Sequence, residues 1–143
     1  MILNMPNPLT QNTGFLLASV AAHASKTYEA ALAELGFHPH HIGVLELVAA
    51  QQPIVQSRIA EQLGIFKPVI VTLVNELEAK GLIKRHPHPT DKRALEIHLL
   101  PKGVKTLDKI RQTSTTTLAQ FLSPLSKTEQ QQFHASLTKL SKA

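Results

Sequence analysis

The sequence contains no cysteine among its 143 residues. That absence excludes a disulfide framework, cysteine-ligated zinc and thiol-based redox sensing. It also fits a reducing compartment. No basic amino-terminal region leads into an apolar run with a small-residue cleavage site, so no targeting segment is expected. The longest near-apolar run, Phe15–Ala24, is too short for a membrane span and contains His23. The expectation is a soluble, unexported, cytoplasmic protein. Repeats, low-complexity stretches and dividing linkers are also missing, and the length suits one domain over residues 1–143. There is no phosphate-cradling glycine loop, no cysteine nucleophile and no convincing acid–base pair. Neither an enzyme nor a cofactor is expected.

What is present is a globular composition, 43% apolar, with a net charge of +5. The charge is unevenly placed. Residues 1–66 hold two basic against four acidic residues, whereas residues 67–93 hold six basic against three acidic. A basic segment following an acidic one suggests a face for a polyanion, with a merely solvated surface as the alternative.

Hydrophobic periodicity predicts a helix from about Thr10 to Leu35, stopped by Gly36. A second runs from Pro39 to about Gln51, with Ile42, Leu45, Val48 and Ala49 inward. A third, roughly Val55–Leu63, ends at Gly64. Over Pro68–Val74 the β-branched residues alone favour a strand. Three features favour a helix over 67–80 instead: Pro68 suits a first turn, Ile70, Val74 and Leu77 recur at helical spacing, and Gly81 follows as a cap with Leu82 able to pack back on Leu77. Two strands are predicted next, Leu82–His86 and Ala94–Leu99, around a tip at Pro87–Arg93. A long helix over 101–122 then places Val104, Leu107, Ile110, Leu118 and Phe121 inward. A last helix opens on the capping box Ser126-Lys-Thr-Glu129, with Phe133, Leu137 and Leu140 as its apolar stripe.

The order helix, helix, turn, helix, β-hairpin carries the functional reading. Two short helices joined by a glycine-containing turn present the second to a DNA major groove, and a basic hairpin beyond it reaches the flanking backbone or minor groove. Residues 39–107 resemble the multiple-antibiotic-resistance regulator (MarR) family. The matching stretches are Pro53-Ile-Val-Gln-Ser-Arg-Ile-Ala-Glu-Gln-Leu-Gly64, Leu73-Val-Asn-Glu-Leu-Glu-Ala-Lys-Gly-Leu-Ile-Lys-Arg85, Pro89-Thr-Asp-Lys-Arg-Ala94 and Leu99-Leu-Pro-Lys-Gly103. The flanking helices follow the family's organisation too. The resemblance implies a mainly α fold: a winged helix-turn-helix with a small antiparallel β wing and long amino- and carboxy-terminal dimerisation helices. Residues 39–100 would form the DNA-binding lobe, and residues 10–38 and 101–143 the dimerisation helices. It further implies a homodimeric transcription regulator, a ligand-responsive repressor on a pseudo-palindromic operator.

Carried onto this chain, the wing tip Asp91-Lys-Arg93 resembles the family's Asp-x-Arg element. Arg93 would enter the minor groove, whose negative potential suits Arg in A·T-rich sequence. Asp91 would orient Arg93 or brace the wing; a turn pair without a DNA role is the alternative. Lys84, Arg85 and Lys92 are phosphate candidates. Gln56 and Ser57, opening the third helix, are placed to meet a phosphate, with helix capping the alternative for Ser57. The recognition helix departs from the family. Thr72 stands where Arg is expected, and Pro68, Val69 and Val71 replace hydroxyl residues, while Lys67 keeps one positive charge. Val69, Val71, Thr72 and Asn75 point outward on a helical wheel. One reading has the valines meet thymine methyl groups while Thr72 and Asn75 hydrogen-bond, favouring A·T-rich sequence or shape over guanine. The other is a winged-helix protein-interaction module with weak or lost specific DNA binding.

Eight histidines raise a metal reading. Zinc wants about four converging ligands, and surface or helix-end roles are the simpler expectation, so no metal site is assigned. A set drawn from His38, His40 and His41 with Glu34 is the alternative. Family members bind small aromatic or lipophilic effectors beside the dimer helices. By that resemblance Phe15, His23, His41 and Leu45 are candidate contacts, with core packing the competing role.

Overall fold

A computed structural model describes residues 8–142. A short 3-10 turn at Pro8–Gln11 precedes α1 (Thr13–Glu34) and α2 (Pro39–Gln51). Strand β1 (Ile54–Val55) leads directly into α3 (Gln56–Leu63), and α4 (Lys67–Ala79) follows the turn at Gly64. Strands β2 (Ile83–Pro87) and β3 (Leu95–Leu99) form the wing; α5 (Pro101–Phe121) and α6 (Lys127–Ser141) complete the chain. The predicted winged helix-turn-helix with a small antiparallel sheet is what forms. The predicted 67–80 segment is helical despite its β-branched residues, because Ile70, Leu73, Val74 and Leu77 all lie on its buried face.

Backbone contacts divide the described residues into two compact units. One comprises those up to Ala31 with those from Ser114 onward, and the other is Leu32–Thr113. In the second unit, Ile42, Val44, Leu45 and Val48 of α2 are buried, as are Ile59 and Ala60 of α3 and the inner face of α4. Leu82, Ile83 and Ile97 extend this core under the wing, and Leu107 and Ile110 join it from α5. The α4 carboxy-terminus closes as a Schellman motif: Leu82 N–H donates to Leu77 C=O (3.1 Å) and Gly81 N–H to Glu78 C=O (2.9 Å). Gly81 adopts φ +73°, the left-handed conformation that glycine takes without cost.

The sheet has order β1-β3-β2, all antiparallel. The sequence predicted two strands, with residue 55 in a helix. Ile54 and Val55 instead pair with Ile97 and Glu96. Two residues are too few to show an alternation, so only the β3 edge reveals this strand. Gln52 extends the same tie, its Oε1 accepting the Leu99 N–H at 2.9 Å.

In the other unit, Leu16, Leu17, Val20, Ala21 and Ala24 of α1 line an apolar groove of about 510 Å³ with Leu118 and Phe121 of α5 and Phe133 and Leu137 of α6. The predicted capping box closes α6: Glu129 N–H donates to Ser126 Oγ (3.2 Å) and Ser126 N–H to Glu129 Oε2 (2.7 Å). Several positions predicted as inward are open in the single chain. Leu118 is 57% exposed and Leu140 63%, and Val104, Phe133 and Leu137 are exposed too. Their periodicity is helical, but one copy of the chain does not bury them. No helix among the described residues is long and apolar enough to cross a membrane.

Candidate nucleic-acid interface

The predicted interface residues fall on three pieces of the Leu32–Thr113 unit: the start of α3, the outer face of α4, and the wing. Val55, Gln56, Ser57 and Ala60 form one wall of a cleft of about 240 Å³. Lys67, Ile70 and Val71 form the second wall, and Arg93, Ala94 and Leu95 the third. The structure therefore brings Gln56, Ser57, Lys67, Val71 and Arg93 together around one opening. Pro68, Val69, Thr72 and Asn75 are exposed on α4 outside the cleft lining, and Lys92 is exposed at the wing tip.

At the first turn of α3, the N-cap is Val55, which supplies no side-chain capping bond. Ser57 lies inside the helix and is exposed, so the capping role weighed for it is not the one it plays. Among the described residues the leading N–H groups of α3 are thus left without a side-chain acceptor. Behind them, the Gln56 Oε1 atom is buried without a hydrogen-bond partner among the described residues. A buried polar atom left unpaired costs about 1–3 kcal/mol.

The wing tip is organised by two side chains. His88 Nδ1 accepts the N–H groups of Thr90 (3.2 Å) and Asp91 (3.0 Å). Asp91 Oδ1 accepts the Arg93 N–H at 2.9 Å, and the Asp91 carbonyl accepts the Ala94 N–H. Asp91 thus braces the turn through backbone, as short polar residues do in turns. The contact is to the Arg93 backbone, which fits both bracing of the wing and the turn pair without a DNA role weighed beside it. Among the described residues no carboxylate lies within ion-pair distance of the Arg93 guanidinium, which stands exposed. The role of His88 escaped the sequence reading. The only signal was a side-chain acceptor placed two and three residues before backbone donors that needed one.

Arg85 is engaged differently. Its guanidinium donates to Glu78 Oε1 at 3.0 Å and its backbone N–H to Glu78 Oε2 at 2.9 Å. The guanidinium and N–H hydrogen bonds hold the Glu78 carboxyl below its ordinary value. This ties the end of α4 to β2 and occupies a side chain assigned above to phosphate. Lys84, on the same strand, remains exposed.

On α4, the Thr72 hydroxyl donates back to the Pro68 carbonyl at 3.3 Å. Phe66, the N-cap residue, is 75% exposed, against 42% for Val69 and 39% for Val71. An aromatic ring this open was not anticipated from sequence.

His38, the N-cap of α2, and His41 in its first turn cap the helix start. His38 Nδ1 accepts the His40 N–H (3.1 Å), and His41 Nδ1 accepts the His38 N–H (2.9 Å). With Nδ1 accepting, the His41 proton sits on Nε2, which donates to Glu76 Oε2 at 2.5 Å. Those nitrogens are engaged, and among the described residues no three His, Asp or Glu side chains group as metal ligands. Of the effector candidates, Leu45 is fully buried and His41 nearly so within their own unit. In the other unit Phe15 is exposed and His23 rests against Phe121 with ring centroids 5.5 Å apart.

Two helices joined by a left-handed glycine turn, followed by a basic β wing, define a winged helix-turn-helix protein. The MarR family model matches residues 35–94. The chain is 34% identical over 106 residues to YkoM of Bacillus subtilis (strain 168), an uncharacterized HTH-type transcriptional regulator, covering 74% of this chain and 69% of that protein. It is 36% identical over 94 residues to a protein of Thauera aromatica described as a candidate transcriptional regulatory protein for the hcr operon. That match covers 66% of this chain and spans 57% of the relative's length. Among solved structures, the transcriptional repressor CouR bound to a 23-mer DNA duplex superposes with a TM-score of 0.79 at 25% identity, covering 93% of this chain and 94% of CouR. The chain belongs to the MarR family of transcriptional regulators.

Proposed function

We propose that this protein is a cytoplasmic, homodimeric regulator that binds a pseudo-palindromic DNA site through residues 39–100 and represses transcription until a small aromatic or lipophilic effector binds. It acts by binding, not as an enzyme. The observation that carries this reading is the cleft joining α3, α4 and the wing, edged by Lys67 and the exposed Arg93. Its chemistry suits a sugar–phosphate backbone: free helix N–H groups, an exposed serine hydroxyl and two cations. The likeness to CouR, a repressor solved bound to a DNA duplex, supports DNA as the ligand.

Dimerisation through residues 10–38 and 101–143 is supported by the apolar groove of α1, α5 and α6 and by the open leucines beside it. Contiguous apolar surface of this kind marks an association site. A two-fold dimer would set two recognition helices about one turn of DNA apart.

The test is selection of bound sequences from a random duplex pool at two salt concentrations. An enriched inverted repeat whose binding weakens steeply with salt is expected. A second reading, a protein-interaction module, is favoured by the exposed Phe66, Val69 and Val71. Failure to enrich any duplex would favour that reading.

A further inference from the structure

We infer that the amino-terminal turn of α4 reads thymine through its 5-methyl group, with Phe66 as the leading contact and Val69 and Val71 flanking the helix's outer face. This rests on the DNA-binding reading above.

Helix α4 offers few hydrogen bonds where it would meet base edges. From Phe66 to Val71 the only polar side chain is Lys67. Thr72, one turn on, spends its hydroxyl proton on the Pro68 carbonyl. Asn75 is the next exposed polar residue on that face. Arg85 is held by Glu78. Against this, Phe66, Pro68, Val69 and Val71 are all exposed, Phe66 more so than either valine.

Thymine is the one standard base with a methyl group in the major groove. Guanine, adenine and cytosine present N7, O6 or amino groups there, and pressing phenyl or isopropyl groups on them removes water without returning a hydrogen bond. The apolar turn therefore gains at thymine and loses elsewhere. The occupant is argued by charge: the same turn is bordered by Lys67, and Arg93 lines the adjoining cleft. These cations draw a polyanionic duplex to the surface. An apolar protein partner would gain nothing from them.

The experiment uses the full chain and the duplex recovered by selection. Each thymine in one half-site is replaced in turn by uracil, which removes only the methyl group. Dissociation constants are read by fluorescence anisotropy, with uracils outside both half-sites as the control. Each methyl in contact should be worth about fourfold in affinity, from about 0.8 kcal/mol per buried methyl-sized group. Phe66→Ala, and Val69→Ala with Val71→Ala, should bind the thymine duplex more weakly and lose their sensitivity to uracil. Circular dichroism confirms that these surface variants fold. If the half-site uracil duplexes bind as tightly as the thymine duplex, this inference is overturned and DNA binding stands. If no duplex is recovered at all, the DNA-binding reading falls and takes this inference with it.

Discussion

Gly103→Ala sets two effects against each other, and the structure decides between them. Gly103 lies in the first turns of α5, where alanine is intrinsically favoured by about 0.8–1 kcal/mol. On helix propensity alone the variant should be more stable. Gly103 is buried, however, and a Cβ there would collide with the Leu82 carbonyl oxygen and lie 2.7 Å from Leu99 Cδ1. The Leu99 side chain can rotate, but the Leu82 backbone cannot easily retreat. Its N–H is bound to Leu77 C=O (3.1 Å) and its C=O accepts the Leu100 N–H (2.9 Å). Pushing Leu82 back strains the first bond, and displacing α5 breaks the second. Overpacking costs about 1–3 kcal/mol, and a lost buried hydrogen bond about 1–3 kcal/mol more. Less the propensity gain, the expected net loss is about 1–5 kcal/mol. For a chain of this size that lowers Tm by roughly 3 °C per kcal/mol. The assay is thermal unfolding followed by circular dichroism at fixed protein concentration, since the Tm of the proposed dimer would depend on it. A Tm equal to or above that of the wild type would refute the proposed contact between α5 and the end of α4.

Other perturbations test the wing and its supports. Arg93→Ala should weaken operator binding by about 1–3 kcal/mol; a variant binding as tightly as the wild type would rule out the wing contact. His88→Ala removes the acceptor for two wing N–H groups. Faster amide exchange at Thr90 and Asp91 and weaker DNA binding are expected, and unchanged exchange would show that Asp91 suffices. Glu46 and Glu78 lie below their ordinary value of 4.5, chiefly through hydrogen bonds from Arg111 and Arg85. Carboxyls depressed in the fold stabilise it fully above that value, and the contribution fades as pH falls through the folded value. The double variant Glu46→Gln, Glu78→Gln should therefore lose less stability than the wild type between about pH 5 and about pH 3 in urea unfolding. An equally steep acid limb in both proteins would contradict this.

The long elements were legible because their signals are local. Pro39, Gly64, Gly81 and the Ser126–Glu129 box mark helix ends through backbone geometry and capping that the neighbouring residues settle among themselves. The helical form of residues 67–79 was legible from the spacing of Ile70, Val74 and Leu77, which outweighs β propensity once that face is buried. Less of the candidate interface could be seen. Asp91 and Arg93 stood out, but His88 and Glu78 act on backbone and side-chain groups whose geometry exists only after the wing has formed.

The sequence by itself determined the order of the helices and of the two wing strands, the resemblance to the family and where the basic residues gather. These depend on periodicity, turn chemistry and charge along the chain. The tertiary structure decided which residues meet. It paired Ile54 with Ile97, 43 positions away in the chain. It set Gln56, Lys67 and Arg93 around one cleft, withdrew Arg85 into a pair with Glu78, and left Phe66 open. Each is a contact, or the lack of one, between segments distant in sequence or across a turn. Hydrogen bonds and packing of that kind depend on distance and direction in space, which no local pattern of residues encodes.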